Sequence, residues 1–510
     1  MLDSQPKAHV NRQIPSTMAT QHPDNAGKPY WHNRPFIGNQ AEIKESYICF
    51  SDLGIDEYNW DWEGKFVDEA VVDRLLHEHY DYFKKNPLGK NKFLTFRFPN
   101  PRVESQFRLA RALMVAITSS QLARSLNFEV DPIFEAILPL TETAREILDI
   151  QEAFKALVSI EHKLLKLNKS ISHIEIIPLF ESVDTIISSA NIIKEYTLLH
   201  KKIFGKKPAY LRPYIARSDP ALNSGLVPTI LALKIALSRF KLLEENLGFP
   251  LFPMLGTGSL PFRGGLTPET IDKNLEEYAG IKTLIIQSAF RYDFPRQKVV
   301  NAIDSIKKKL HRKKARILSE NEIDKIQSLL PFFTSSYRKT IEQLAPIIND
   351  ISIHVAKRRE RVLHIGLFGY SRGVGRVRLP RAITFTASLY SIGIPPELIG
   401  AGRGLKKAAR LGGLDLILKN YIHLKSDLNS AGNFLNKNNL KKLASLNSAW
   451  ADVAEDVSEI ESILNLELGP KNSVHYEHNR LTERTLQKFL AKKNIAPLIT
   501  LTGHLRKSLG

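Results

Sequence analysis

Short apolar runs rich in β-branched and aromatic residues alternate along this chain with longer segments of helical periodicity. The runs lie at 47–50, 93–98, 134–140, 174–180, 210–215, 251–255, 283–289 and 362–368. Between most of them, as at 185–204 and 229–247, apolar residues recur every three or four positions, which is typical of amphipathic helices. The runs show little polar alternation, as expected for parallel strands buried on both faces. This pattern predicts an α/β chain built on a (β/α)8 TIM-type barrel with extensive additional α-helices, especially C-terminal.

The chain contains no repeat, low-complexity segment or flexible linker, so we expect a single domain over 1–510. Residues 1–35 are rich in proline and asparagine, which predicts an irregular N-terminal loop. We expect the barrel over about 40–380 and a helical C-terminal portion over about 380–510.

The 510 residues carry a formal net charge of +19 and one cysteine, Cys49. A single cysteine cannot form an intramolecular disulfide, the first seven residues lack the apolar core of a signal peptide, and no apolar run has the length of a membrane span. We therefore expect a cytoplasmic protein that does not enter a membrane. The charge alone leaves nucleic acid, an anionic membrane surface and an anionic small substrate open. Its densest run, 307–314, has no interleaved aromatic residues, which favours a solvated helix face over nucleic-acid binding.

Polar residues follow most of the predicted strands at the point where each strand ends. They are Arg97, Thr141 with Glu142, Glu181, the group 217–219, the glycine-rich 256–258, Arg291 and the group 370–372. Barrel enzymes gather their reactive groups at the C-terminal ends of the strands, so these polar ends together indicate one site. His22 precedes Pro23, which favours an extended backbone, and we expect it to reach the barrel mouth on an ordered loop.

Two carboxylates at neighbouring strand ends, Glu181 and Asp219, are candidates to share a cation. Such a pair, completed by substrate and water oxygens, is a usual way for proteins to hold Mg²⁺ or Mn²⁺. The alternative is structural: Asp219 precedes Pro220 and would start a turn, and Glu181 would cap the helix that begins near Val183.

A glycine-rich segment, 256–265, follows the sixth predicted strand and contains Arg263. Backbone N–H groups of such a loop, here those of Gly256, Gly258 and Gly264, can cradle an anion that the arginine then pairs. A tight connection that uses glycine for left-handed backbone explains the segment nearly as well.

Arg381 lies in the first turn of a predicted helix that opens at Pro380. There its guanidinium and the free N–H groups of the helix can face one anion. Arg372 and Arg381 can equally be surface or ion-paired residues, which is the commoner case for a lone arginine.

Taken together, these strings resemble the phosphoenolpyruvate carboxylase family in its short, archaeal-type form. The resemblance runs from about Ile14 to the C-terminus and rests on strings in the family's order: Gln21-His22-Pro23-Asp24-Asn25 within 18–25, then 60–65, 177–181, 212–225, 256–265 and 379–402. The string 60–65, Trp-Asp-Trp-Glu-Gly-Lys, contributes to the match, but we assign it no chemistry.

The resemblance implies a homotetrameric enzyme that joins phosphoenolpyruvate and bicarbonate into oxaloacetate, with Mg²⁺ or Mn²⁺ as cofactor. The implied site residues are Glu181 and Asp219 as metal ligands, His22, Arg263 and Arg381 as catalytic residues, and Arg97, Arg372, Arg381, Gly256, Gly258 and Gly264 as substrate ligands. In the implied mechanism bicarbonate attacks phosphorus to give carboxyphosphate and an enolate. His22 then accepts a proton as carboxyphosphate breaks down, and Arg263 orients the CO₂.

The chain also departs from the longer members of the family. The segment 255–259 lacks the histidine and arginine that the long form has there, and Leu222 stands in place of a lysine. The residues 507–510 lack the asparagine found near the long form's C-terminus, so feedback inhibition by aspartate does not follow. Alternative functions are another phosphoenolpyruvate- or pyruvate-using barrel lyase or aldolase and a basic nucleic-acid-binding protein.

Overall fold

The computed structural model describes residues 13–65, 67–164, 167, 171–360, 373–374 and 377–510. Eight parallel strands pair in chain order, and the last pairs back onto the first, so the sheet closes into a barrel. The strands are β1 Thr17–Ala19, β2 Glu57–Asp61, β3 Phe93–Arg97, β4 Glu135–Leu138, β5 Glu175–Phe180, β6 Tyr214–Ile215, β7 Met254–Leu255 and β8 Thr283–Ile286. This closed, eight-stranded parallel barrel with its surrounding helices confirms the predicted fold class.

Helices fill most of the remaining described chain. They are α1 Asn39–Ser51, α2 Val71–Glu78, α3 Tyr80–Lys85, α4 Gln106–Ser125, α5 Ala144–Val158, α6 Val183–Phe204, α7 Ser218–Ser224, α8 Leu226–Leu247, α9 Ile271–Glu277, α10 Ser288–Tyr292, α11 Arg296–Lys309, α12 Glu320–Ser352, α13 Ala382–Ser391, α14 Ala401–Arg410, α15 Leu414–Asn420, α16 Leu424–Gly432, α17 Lys437–Ala444, α18 Ser448–Leu464, α19 Ser473–Leu490 and α20 Ala496–Arg506. A short antiparallel pair, β9 Gly373–Val374 and β10 Val377–Arg378, precedes α13. Helix α12 packs on α8 of the barrel and on α14 and α18, so it joins the C-terminal helices to the barrel.

Six of the predicted strand runs overlap β3 to β8, whereas the run 47–50 lies inside helix α1, so that prediction was wrong. Four apolar residues fit a buried helix as well as a strand, and length alone cannot separate the two. The run 362–368 lies outside the described residues.

Two strands, β1 and β2, were not predicted from the sequence. Strand β1 has only three residues and begins at Thr17, so the barrel starts within the predicted irregular loop and not near residue 40. The search for apolar runs did not identify strand β2, because Glu57, Asn59 and Asp61 are polar, although all its residues are buried. Alternate residues of a strand share one face, and these three face the barrel interior, where Glu57 binds Arg212 and Asp61 binds Arg97.

A buried ion cluster fills the base of the barrel. Arg212 donates to Glu57 from Nη2 (2.6 Å) and to Glu135 from Nη1 (2.7 Å), and Thr283 accepts from it at 3.1 Å. Burial alone would lower the pKa of Arg212, but the charges of Glu57 and Glu135 reverse that effect and raise it. Above this cluster lies an apolar layer of inward-facing side chains: Met18, Ile137, Ile177, Leu179, Tyr214, Ala216, Met254 and Ile285. The barrel interior is therefore packed, and open space begins only at its C-terminal rim.

The basic run 307–314 is partly neutralised within the fold. Lys307 pairs with Asp56 at 2.5 Å, Lys309 pairs with Asp272 at 2.7 Å, and the His311 ring lies 2.9 Å from the Ser16 hydroxyl. Within the described parts of the chain, no helix combines the length and apolarity that crossing a membrane requires.

Replacing Arg212 with methionine should lower the free energy of unfolding by ~3–5 kcal/mol, because Glu57 and Glu135 would remain buried without a counter-charge. Urea denaturation measures the change. Arg312 is exposed, and Arg312→Met is the matched control, expected to shift stability by no more than ~0.5 kcal/mol. Equal unfolding midpoints for Arg212→Met and the parent would show that the cluster does not stabilise the barrel.

Candidate active site

A cavity of about 520 Å³ opens at the C-terminal rim of the barrel. Its walls include these residues predicted from the sequence: His22, Arg97, Glu181, Asp219, Gly256, Arg263 and Arg381. Gly258 and Gly264 are not among the lining residues, and Arg372 lies outside the described residues. Side chains separated by up to several hundred positions in sequence thus meet around one space, as the shared strand ends predict.

Glu181 and Asp219 lie on adjacent strands at this rim. Glu181 directly follows β5, and Asp219 is in the first turn of α7, just after β6. Ser182, not Glu181, caps α6, because its hydroxyl accepts from the Thr185 N–H at 3.0 Å. Glu181 instead accepts from the N–H of Leu140 at 2.7 Å. The capping alternative for Glu181 is therefore excluded.

The carboxylates of Glu181 and Asp219 repel each other, and the pKa of Glu181 shows the effect. Desolvation, then the charges of Asp219 and Glu63, raises the pKa of Glu181 to about 8, against the opposing effects of Arg97 and the Leu140 N–H. No group of three or more His, Cys, Asp or Glu side chains placed for a metal ion exists in the described ranges. A cation at the pair would need further oxygen ligands besides these two carboxylates. Mg²⁺ and Mn²⁺ favour oxygen ligands, and Mg²⁺ commonly retains waters, so the pair suits either ion.

His22 lies on a loop that is fastened to α10. Its Nδ1 is 3.0 Å from the Thr20 hydroxyl, and its carbonyl accepts from the Ser288 hydroxyl at 2.8 Å. Asp24, two residues on, accepts from the N–H of Ala289 at 2.7 Å. The segment that was predicted to be an ordered loop at the barrel mouth is held by these bonds, and the imidazole lines the cavity.

Arg263 is buried at the end of the 3-10 turn Pro261–Arg263, which follows β7. Its Nη1 donates to the carbonyl of Gly510 (2.6 Å) and to Asp24 (3.2 Å), and its Nη2 donates to Gln287 (2.5 Å). Nε donates to the Ser218 hydroxyl at 3.2 Å. Contacts with four separate segments fix the guanidinium at the cavity wall.

The glycine-rich loop makes room for the Arg263 side chain, and its N–H groups do not face an anion. The N–H of Gly256 donates to Ile215 O (3.2 Å), that of Gly258 to Arg263 O (2.7 Å), and that of Gly264 to Pro261 O (3.1 Å). The three donors predicted to cradle an anion are therefore already used, which corrects that prediction. A Cβ on Gly258 would lie 2.9 Å from the Arg263 Cζ, so glycine is required for the guanidinium to occupy its place.

Arg381 is the residue immediately before α13 and has extended backbone (φ −59°, ψ 153°). The helix begins at Ala382 rather than at Pro380, because Arg381 has not entered helical geometry. This shift of two residues leaves the guanidinium on the cavity wall beside the helix N-terminus.

Several cavity residues were not assigned a role from the sequence. They are Glu63, Arg217, Gln287 and Arg358. The strand-end rule does point to Arg217 and to Gln287, which directly follows β8. Arg291, the polar residue named for that strand, is instead buried against Glu45 (3.2 Å). No local signal could identify Arg358, since it reaches the site from beyond the end of α12.

Comparison with known proteins gives the family. A family model described as Phosphoenolpyruvate carboxylase matches residues 14–510. A curated protein named Phosphoenolpyruvate carboxylase from Oenococcus oeni is 40% identical over 506 residues, covering 98% of this chain and 99% of that protein. Proteins of the same name from Metallosphaera sedula and Pyrococcus horikoshii are 39% identical over 521 residues and 40% identical over 436 residues. They cover 98% and 82% of this chain, and 100% and 88% of their own lengths.

The chain belongs to the phosphoenolpyruvate carboxylase family. The match over nearly the whole chain, at near-equal lengths, confirms the resemblance to the short, archaeal-type form. It also confirms the prediction that the chain is an enzyme, a carboxy-lyase.

The raised pKa of Glu181 gives the metal-free protein a defined pH dependence. The folded state holds the Glu181 proton up to about pH 8, whereas the ordinary value is 4.5. The folded state therefore binds more protons than the unfolded state between these values, and stability falls as pH rises through them. Glu181→Gln should remove this loss, so the variant should gain stability relative to the parent at pH 8.5 but not at pH 4.

Urea midpoints in chelator at both pH values measure the difference. Glu129 is exposed, and Glu129→Gln is the control, expected to follow the parent at both pH values. A parallel pH dependence for Glu181→Gln and the parent would contradict the assignment.

Proposed function

We propose that this protein carboxylates phosphoenolpyruvate with bicarbonate to give oxaloacetate and phosphate, and that it requires Mg²⁺ or Mn²⁺. The observation that carries the proposal is the meeting of His22, Arg263 and Arg381 with the carboxylates Glu181 and Asp219 around one cavity. Family membership, with relatives named for this activity, supports it.

The charges of the substrates fit the cavity. Phosphoenolpyruvate and bicarbonate together carry about four negative charges, which must be offset before one can attack the other. Arg381 would hold the phosphoryl group, with the N-terminus of α13 beside it adding positive potential. Arg97 would assist from the end of β3, while Arg372, the third arginine predicted for this role, lies outside the described residues.

Glu181 and Asp219 would hold the divalent ion through their oxygens. When bound, it supplies Lewis-acid stabilisation for negative charge that develops on substrate oxygen. The two carboxylates repel each other at the cavity wall, which is the electrostatic condition that a cation relieves. The ionised pair would fix the position of the ion, and this would limit where substrate oxygens can approach.

His22 would accept the proton of carboxyphosphate as that species breaks into CO₂ and phosphate. An imidazole is suited to this step near neutral pH, and the contact with Thr20 orients the ring. Arg263 would orient the CO₂ for attack by the enolate carbon. Its four fixed contacts leave little reorganisation to be done in the reaction.

A coupled assay tests the activity directly. Oxaloacetate formation from phosphoenolpyruvate and Mg²⁺ should depend on added bicarbonate. A barrel lyase or aldolase would act without bicarbonate, and a basic nucleic-acid-binding protein would release no phosphate and would show salt-sensitive affinity for nucleic acid. The homotetramer implied by the family remains a prediction, which sedimentation velocity would measure.

His22→Asn should abolish oxaloacetate formation yet retain part of the bicarbonate-dependent cleavage of phosphoenolpyruvate, because the first step needs no proton acceptor there. Parallel measurement of phosphate, pyruvate and oxaloacetate separates the two outcomes. His77 is exposed and outside the cavity, so His77→Asn should behave as the parent. Carboxylation at the parental rate in His22→Asn would refute the role.

Asp219→Asn should raise the Mg²⁺ concentration needed for half-maximal activity by about tenfold or more, because one anionic ligand is lost. Titration of activity with Mg²⁺ measures the shift. Asp304→Asn, a change at an exposed position of α11, is the control. An unchanged titration curve for Asp219→Asn would remove this residue from the ligand set.

A further inference from the structure

The string 60–65, to which the sequence gives no chemistry, reaches the cavity wall. Asp61 is the last residue of β2, and its register partner on the next strand is Arg97, the last residue of β3. Glu63 follows two residues later and lines the cavity together with Arg97. The string therefore places two carboxylates beside an arginine predicted to bind substrate.

Both carboxylates engage the same guanidinium. Asp61 accepts from Arg97 Nε at 2.9 Å and from Nη2 at 2.7 Å, a two-point contact that fixes the guanidinium plane. Glu63 lies 2.8 Å from Nη2. The side chains of Asp61, Glu63 and Arg97 are 2%, 3% and 8% exposed. Solvent therefore screens this triad weakly, and its formal charge is −1.

Hydrogen bonds hold the turn that contains Glu63. The N–H of Glu63 donates to Asp61 Oδ1 at 3.0 Å, so the backbone of the turn is tied to the first carboxylate. Arg108 Nη2 donates to the carbonyls of Trp62 (2.5 Å) and Lys65 (2.7 Å). The Lys65 ammonium is paired with Glu42 at 2.6 Å. Contacts on both sides of Glu63 thus hold it in one place.

Two carboxylates exceed what one guanidinium needs for neutralisation. Asp61 alone satisfies the geometry of the ion pair, so the second carboxylate adds negative charge at the wall of a cavity proposed to bind anions. That charge opposes anion binding.

We propose that Asp61 and Glu63 are positioning residues that hold Arg97 at the cavity wall for the phosphoryl group. We propose in addition that Glu63 lowers the affinity of the site for that anion. The inference rests on the proposed function for the identity of the anion. Positioning favours the bound geometry in which reaction occurs. The extra charge favours release of the phosphate that the reaction leaves behind.

Glu63→Gln separates charge from shape, because glutamine keeps the length and an acceptor oxygen for Arg97. Loss of one nearby charge should tighten binding of inorganic phosphate, measured by calorimetry, by about threefold to tenfold. The KM for phosphoenolpyruvate should fall, and kcat should fall as well, because Arg97 is held less firmly. Glu129→Gln, with the same charge change on the outer surface, should alter none of these values.

Two further variants test whether the changes in kcat and phosphate affinity arise only from a disturbance of the local structure. Glu63→Asp keeps the charge but shortens the reach, so kcat should fall without tighter phosphate binding. In an Arg97→Met background, Glu63→Gln should no longer change kcat, since its effect on kcat passes through the guanidinium.

Unchanged phosphate affinity in Glu63→Gln, whether or not the variant is less stable, would overturn the charge role. Effects on kcat that persist in the Arg97→Met background would overturn the positioning role. Calorimetry with phosphate needs no turnover, so these outcomes are distinct from failure of the proposed function, which would appear as an absence of oxaloacetate from the parent enzyme.

Discussion

The buried ion cluster around Arg212 sets the frame on which the rim depends. One guanidinium joins Glu57 of β2 and Glu135 of β4 from its position just before β6, so it spans the inside of the barrel. Charges removed from water in this way tolerate little displacement, because each lost contact leaves an uncompensated ion. The cluster therefore restrains the register of these strands, and this register sets the positions of the side chains at the strand ends.

The cavity above this frame balances opposite charges rather than collecting positive charge alone. Arginines from β3, the 3-10 turn and the segment before α13 line the same cavity as carboxylates that follow β2, β5 and β6. The proposed site for two anions and a divalent cation would need both signs, since cations alone would hold phosphate after reaction. Asp61 and Glu63 pair with Arg97, while Glu181 and Asp219 create local repulsion that a cation can relieve.

The sequence predicted the barrel from its alternating apolar runs and helical segments, and it predicted seven of the cavity residues, most of them from their position at strand ends. It failed where tertiary contacts override local pattern. The polar residue Glu57 can be buried in β2 because Arg212 binds it, and that partner is 155 residues away. Gly258 looks like an anion-binding residue in sequence, yet its role is to leave room for Arg263. Arg358 carries no local signal, since only folding brings the end of α12 to the rim.

Asp24 links two residues that the proposed reaction uses in succession. Its carboxylate accepts from Arg263 at 3.2 Å, and its other oxygen accepts from Ala289 N–H at 2.7 Å, which fastens the His22 loop to α10. The N–H of Asp24 also donates to the His22 carbonyl at 3.3 Å. Asp24 thus connects the loop of His22 to the guanidinium of Arg263 through one buried side chain. In the proposed mechanism this connection would keep the proton acceptor and the group that orients CO₂ in a fixed relation, which would limit the escape of CO₂ before the enolate attacks.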